Sequence, residues 1–150
     1  MPDEKIDDVD RKIISILLND GRKSFSEISI MVGVSAGTVA NRIKKLVKRG
    51  VIRKFTVEVD WKKLGFEFLA VLIIDVDPGR ISYVSEKLYS FSEVSDVFVG
   101  VGGEPCAVVF VRTEGIDEFF SFMQNKVAML EGVRGVRSVI VGESKSKIGF

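Results

Sequence analysis

Apolar residues recur at two different periods along this chain, and the change of period divides it. Over residues 7–20, Val9, Ile13, Ile14, Ile16, Leu17 and Leu18 repeat at helical spacing. Asp7, Asp8 and Asp10 crowd the start, where negative charge complements the helix dipole. Gly21 after Asn19-Asp20 is a natural stop. A second helix is predicted over residues 24–32, with Ile28 and Met31 inward and Phe25 near its start. Gly33-Val34 makes a tight turn, and Ser35 is a good N-cap for a third helix. There Val39, Ile43, Leu46 and Val47 mark the buried face, Arg42 lies at its edge, and Gly50 ends the run. Val51-Ile52 and residues 55–59 then read as two short strands joined through Arg53-Lys54.

Past Asp60-Trp61-Lys62-Lys63-Leu64-Gly65 the order is strand, helix, strand, strand, helix, strand. The first strand covers residues 67–76 and ends at the Asp77-Pro78-Gly79 turn. The helix that follows runs through Ser90, with Ile81, Val84 and Leu88 inward. Val97-Phe98-Val99 and residues 108–111 are strands joined through Gly102-Gly103-Glu104-Pro105. Ile116, Phe119, Phe120, Met123, Val127 and Leu130 form the apolar face of the next helix, and residues 136–141 form the last strand. The order βαββαβ is the ferredoxin-like arrangement, with both helices on one face of an antiparallel sheet. The fold class is therefore α+β, an N-terminal winged helix-turn-helix followed by a ferredoxin-like domain. Residues 1–59 read as the first domain, 60–66 as a linker and 67–150 as the second.

A sheet with one solvated face should alternate apolar and polar residues. Leu69, Val71 and Ile73 are apolar, and so are Phe68, Ala70, Leu72 and Ile74 between them. Val108 and Phe110 stand in the same relation to Val109 and Val111. Two helices cover one face only, so the other calls for a partner, and a homodimer through the sheet is the expectation.

Composition narrows the function. The 150 residues are 46% hydrophobic and 29% charged, which suits a globular protein. The longest apolar run, residues 68–74, is far short of the roughly 20 residues of a membrane span, so no membrane partner is expected. The polar start, Met1-Pro2-Asp3-Glu4-Lys5, reads as no secretory signal. Cys106 is the single cysteine, so no internal disulfide forms, which fits a reducing cytoplasm. With no histidine in the chain, His-based triads, His metal sites and histidine switches drop out. No catalytic residue, metal site or cofactor is expected.

The net charge is only +1, yet its distribution is uneven. Residues 21–54 hold nine basic side chains against the single acid Glu27, a local balance of +8 that leaves −7 elsewhere. One-signed clustering marks a polyanion-binding surface, whereas a merely solvated helix mixes signs. Small residues at the start of the third helix, Ser35, Ala36, Gly37 and Thr38, allow close approach to double-stranded DNA. Asn41 and Arg42 are types able to make bidentate base contacts, although Arg42 could instead fold back and brace the fold. Lys44, Lys45, Lys48, Arg49, Arg53 and Lys54 are assigned to phosphates.

These residues also carry a family resemblance. Ile6-Asp7 through Asp10 and Ile13-Ile14, then Asp20-Gly21-Arg22, Glu27-Ile28, Val32-Gly33-Val34-Ser35, Thr38-Val39, residues 42–46 and Gly50-Val51-Ile52 resemble the signature of the Lrp/AsnC (feast/famine) transcriptional regulators. The resemblance implies DNA binding through the first domain and a RAM domain after it. It also implies dimers that assemble further, as far as octamers. Members commonly bind an amino acid between RAM domains, near a Gly-Asp-Tyr-Asp loop before the third strand. Here the loop reads Gly103-Glu104-Pro105-Cys106, so the glycine matches and Cys106 replaces the final aspartate. Gly102, Gly103, Glu104, Cys106 and Ser138 are the effector-site residues so implied. Gly100-Val101-Gly102-Gly103 is not a dinucleotide fingerprint, since no helix opens after it. Cys106 reads as a small buried residue, and Trp61, Phe119 and Phe120 as core or interface.

The leading reading is a sequence-specific transcriptional regulator, dimeric or larger, modulated by a small molecule such as an amino acid. The alternative is an architectural DNA-compacting protein of low sequence specificity. A siroheme-decarboxylase-like enzyme ranks behind both, because histidines are implicated in those active sites.

Overall fold

The computed structural model describes residues 5–100 and 102–142. Residues 1–4, Val101 and the predicted domain's end, residues 143–150, lie outside the described residues. The described chain divides into two compact units, one reaching to Val59 and the other beginning at Asp60.

Three helices build the first unit: α1 (Asp8–Asn19), α2 (Phe25–Val32) and α3 (Ala36–Lys48). Local chemistry fixes where α1 and α2 begin. The Asp7 carboxylate accepts from the Asp10 backbone N–H at 2.8 Å while Asp10 accepts from that of Asp7, a reciprocal cap that satisfies two end donors. Ser24 and Glu27 repeat the device on α2. Gly33 closes α2 at φ +75°, a left-handed turn that costs glycine nothing, and α3 leaves it. Ile13, Ile28, Val39 and Ile43 make the core, with Val9, Ile16, Leu17, Val32, Val34 and Ile52 packed round it.

Three expectations for this unit are corrected. Residues 51–59 form no strand, so the winged hairpin does not form. Its connection, Arg53-Lys54, lacks the Gly or Asn that a two-residue turn needs, and a lone two-stranded hairpin is marginal in water. Met31 and Val47 point outward, 58% and 45% exposed. Ile28 and Val32 on α2, and Val39, Ile43 and Leu46 on α3, already complete the narrow stripes that short helices can bury.

The second unit opens on a 3-10 turn (Lys62–Leu64) and continues β1 (Phe68–Val76), α4 (Ile81–Tyr89), β2 (Val94–Val99), β3 (Cys106–Thr113), α5 (Ile116–Phe122) and β4 (Val133–Ile140). The antiparallel sheet runs β2-β3-β1-β4, the ferredoxin-like order. Ala70, Leu72, Ile74 and Val76 of β1 meet Val109 and Val111 of β3, Val84 and Leu88 of α4, and Phe119, Phe122 and Val127 in one core. Gly132, at φ +96°, lies where a Cβ would come within 2.9 Å of Arg80, so a side chain there would open the loop before β4.

The apolar face predicted for the last helix is also corrected. Phe122 is buried, whereas Ile116 and Phe120 are about half exposed. After Phe122 the helix widens into a π-turn over Met123–Val127, and the extra residue re-aims the face so that Val127 lands inside. β4 begins three residues earlier than its apolar run, at Val133. The other sheet face carries Leu69, Val71 and Ile73 beside Val108 and Phe110, none fully buried. Phe98 and Val139 extend it toward the two edges at 58% and 56% exposure, and Phe98 packs edge-on to Phe110. At one end Trp61 covers the Arg112 guanidinium, 5.2 Å from ring centre to carbon.

Candidate nucleic-acid interface

Burial of Val39, Ile43 and Leu46 fixes how α3 is rolled. The stripe directly opposite, at i, i+4, i+7 and i+11, is Gly37, Asn41, Lys44 and Lys48, and all four are exposed. No acidic residue stands anywhere on α3. Ser35 caps the helix by accepting from the Thr38 N–H at 3.1 Å, and the two hydroxyls bond each other at 2.9 Å. Both side chains are thus committed to holding the helix start and contribute its shape.

Thr38, Arg42, Lys45 and Arg49 form the flank of α3 that faces the start of α1, around a recess shared with Lys5, Asp7 and Asp10. The Arg42 guanidinium donates to Asp7 Oδ2 at 2.7 Å and to Asp10 Oδ1 at 2.9 Å. The Asp10 N–H, and after it Arg42, hold the Asp7 carboxyl below the usual carboxylate range. Asp10 and then Asp7 raise the Arg42 pKa in turn. Arg42 therefore braces α3 against α1, the second of its two sequence readings. Arg53 and Lys54 lie in the extended segment after α3 and are exposed. The structure brings Gly37, Asn41, Lys44 and Lys48 onto one face and sets Arg42 aside from it.

In the second unit, the β2–β3 loop is shaped by Gly102 and Gly103, both at positive φ, and tied by the Gly100 N–H donating to the Cys106 carbonyl at 2.8 Å. Glu104 accepts from Arg134 at 3.0 Å, so its charge is already matched. Cys106 is partly buried and pairs in register with Asp75, which places both on the open sheet face. Ser138 pairs with Leu72, on the helix-covered face, so a single chain does not bring Ser138 to Cys106. The sequence reading missed Asp75. It stands between Cys106 and Gly135 in the register, with Arg137 at 3.6 Å. Its signal was period-two alternation, since it is the one charge following Leu69, Val71 and Ile73.

Among the described residues, no group of three His, Cys, Asp or Glu is placed to hold a metal, and no helix is long and apolar enough to cross a membrane.

The model of the AsnC-type helix-turn-helix domain matches residues 6–47. The HTH-type transcriptional regulator FL11 of Pyrococcus furiosus is 39% identical over 136 residues, which are 91% of this chain and 89% of the relative. A feast or famine regulatory protein of M. tuberculosis, solved in complex with L-methionine, is 26% identical. It superposes with a TM-score of 0.84 over 95% of this chain and 96% of the other. E. coli AsnC, 23% identical, shares the fold with a TM-score of 0.82 over 95% and 96% of the two chains.

Proposed function

The chain belongs to the Lrp/AsnC family of transcriptional regulators, and from that premise we propose that it binds specific duplex DNA as a dimer or larger assembly. It acts by binding and not by catalysis. The carrying observation is the rolled α3: the face turned from the core bears Gly37, Asn41, Lys44 and Lys48, and no acid interrupts it. In this reading Ser35 and Thr38 shape the helix end that enters the groove. Lys44, Lys45, Lys48, Arg49, Arg53 and Lys54 meet phosphates. Residues 1–59 serve as the DNA-binding domain and 60–66 as the linker. The remainder serves oligomerisation and effector binding.

The open sheet face supports the dimer. Leu69, Val71, Ile73, Val108 and Phe110 form an apolar surface that the chain's own helices leave uncovered, and a second copy would take it out of water. The L-methionine complex of the M. tuberculosis relative supports an amino-acid effector. Gly102, Gly103, Glu104 and Cys106 remain its loop, Ser138 would have to come from the partner copy, and Asp75 supplies the charge that Cys106 does not. An ammonium group would meet Asp75 and a carboxylate would meet Arg134 or Arg137.

Salt-dependent binding of the full-length protein to duplex DNA, with sedimentation at micromolar concentration, tests the proposal. Steep loss of affinity with salt together with a sedimenting dimer or larger species is the expected result. A monomer that ignores duplex DNA at low salt would refute it.

A further inference from the structure

Resting on the DNA-binding reading above, we infer that Asn41 is the base-reading residue of α3, that it reads an adenine in the major groove, and that Gly37 sets the depth at which it can do so.

Asn41 is the one side chain of α3 with a donor and an acceptor side by side, whereas Arg42 and the lysines carry donors only, which suit guanine or phosphate. Arg42 is spent: the 2.7 and 2.9 Å bonds to Asp7 and Asp10 hold its guanidinium on α1. The Asn41 amide bonds to no other described residue. It stands on the exposed stripe opposite Val39, Ile43 and Leu46. A carboxamide presents one acceptor and one donor side by side, the complement of the N6–H donor and N7 acceptor at the major-groove edge of adenine. Guanine offers two acceptors there and repels the amide oxygen. The remaining members of the stripe, Lys44 and Lys48, lie toward the far end of the helix and can reach phosphates without reading sequence.

Gly37 is otherwise hard to account for. Its backbone is not at positive φ, so no turn requires glycine. A Cβ built there would meet only Ser35 Oγ, at 3.8 Å, an ordinary contact. Glycine is a poor helix former, and the space around position 37 would admit a methyl group. The missing side chain therefore serves whatever approaches from outside. Gly37 lies one turn before Asn41 on the same stripe. Asparagine is short, so its amide reaches a base edge only if the helix backbone sits deep in the groove. A methyl group at position 37 would hold the helix off.

The experiment measures binding of the full-length protein, and of Asn41→Ala, Gly37→Ala and Lys44→Ala, to a duplex selected from a random library. Each A·T pair of the half-site is then replaced in turn by G·C. The unmodified protein should lose roughly 10- to 100-fold at one A·T position. Asn41→Ala should bind that replaced duplex and the original alike. Gly37→Ala should melt no lower than the unmodified protein and still lose affinity for the selected duplex by about tenfold or more. Lys44→Ala should weaken binding to every duplex equally. Retained discrimination at every A·T pair in Asn41→Ala, or unmodified affinity in Gly37→Ala, would overturn the inference. If Lys44→Ala still behaves as stated, the DNA-binding reading survives that failure. A protein that binds no duplex at all would fail both.

Discussion

Arg42 shows how one side chain can change the meaning of a surface. By type it is a base reader, and by position it lies at the margin of a buried stripe. Its fate depends on two aspartates 32 and 35 residues away, a distance over which sequence spacing carries no information. Both roles were therefore legible in the sequence and the choice between them was not. Replacing Arg42 by Gln should lower the melting temperature by several degrees, because Asp10 is nearly buried and loses its partner. It should leave base preference unchanged. A melting curve and a binding titration on matched and mismatched duplexes check the two halves. Asp7 gives this brace a pH dependence. Its folded-state pKa is depressed, so its contribution is fully present above the unfolded value and is lost as pH falls through the folded one. Stability of the first unit should be flat from neutral pH to about pH 5 and fall below about pH 4. Asp7→Asn should flatten that acid limb.

At the scale of elements, the helix starts and the ferredoxin-like sheet were legible and the wing was not. Asp7, Ser24 and Ser35 begin their helices with the side-chain bonds their types favour, since capping is local chemistry. Ser24→Ala should destabilise the protein by about 1 kcal/mol, measurable by denaturant unfolding. The predicted wing failed because alternation alone cannot make a ladder without a turn and a neighbour. Phe55 and Val57 alternate as a strand would and stand 60% and 79% exposed. The α5 face was misjudged for another reason. A π-turn adds a residue to one turn of helix, so a pattern counted back from Val127 at constant period passes through Met123 and Phe120 where the buried residues are Phe122 and Phe119. The sheet core was plain from its β-branched runs. Leu72→Ala should cost about 2–5 kcal/mol, whereas Phe120→Ala, on the outward side, should cost far less.

For the whole molecule, the apolar run of β1 was informative because it exceeds what one helical layer can cover. The structure leaves Val71 and Ile73 on the open side of the sheet. An unpaired charge buried in an interface costs several kcal/mol. Val71→Asp should therefore convert the proposed dimer to a folded monomer, seen as a halved mass in sedimentation with an unchanged far-ultraviolet spectrum. Such a monomer would present one recognition helix at a time and lose most of its affinity for paired half-sites. The proposed effector region shows the limit of reading motifs position by position. Cys106 removes the family's aspartate, but Asp75 on the adjacent strand brings a carboxylate to the same open face.

In the proposed function α3 reads sequence while a two-fold assembly sets the spacing of its copies. Selection of bound duplexes from a random library by the full-length protein tests it most directly. A small set of related sequences is expected, each an inverted repeat with an A·T pair fixed in both halves. The half-sites should be separated by about one helical turn or a multiple of it. Recovery of sequences with no shared motif, at affinities that differ little from bulk DNA, would contradict it and favour a packaging role.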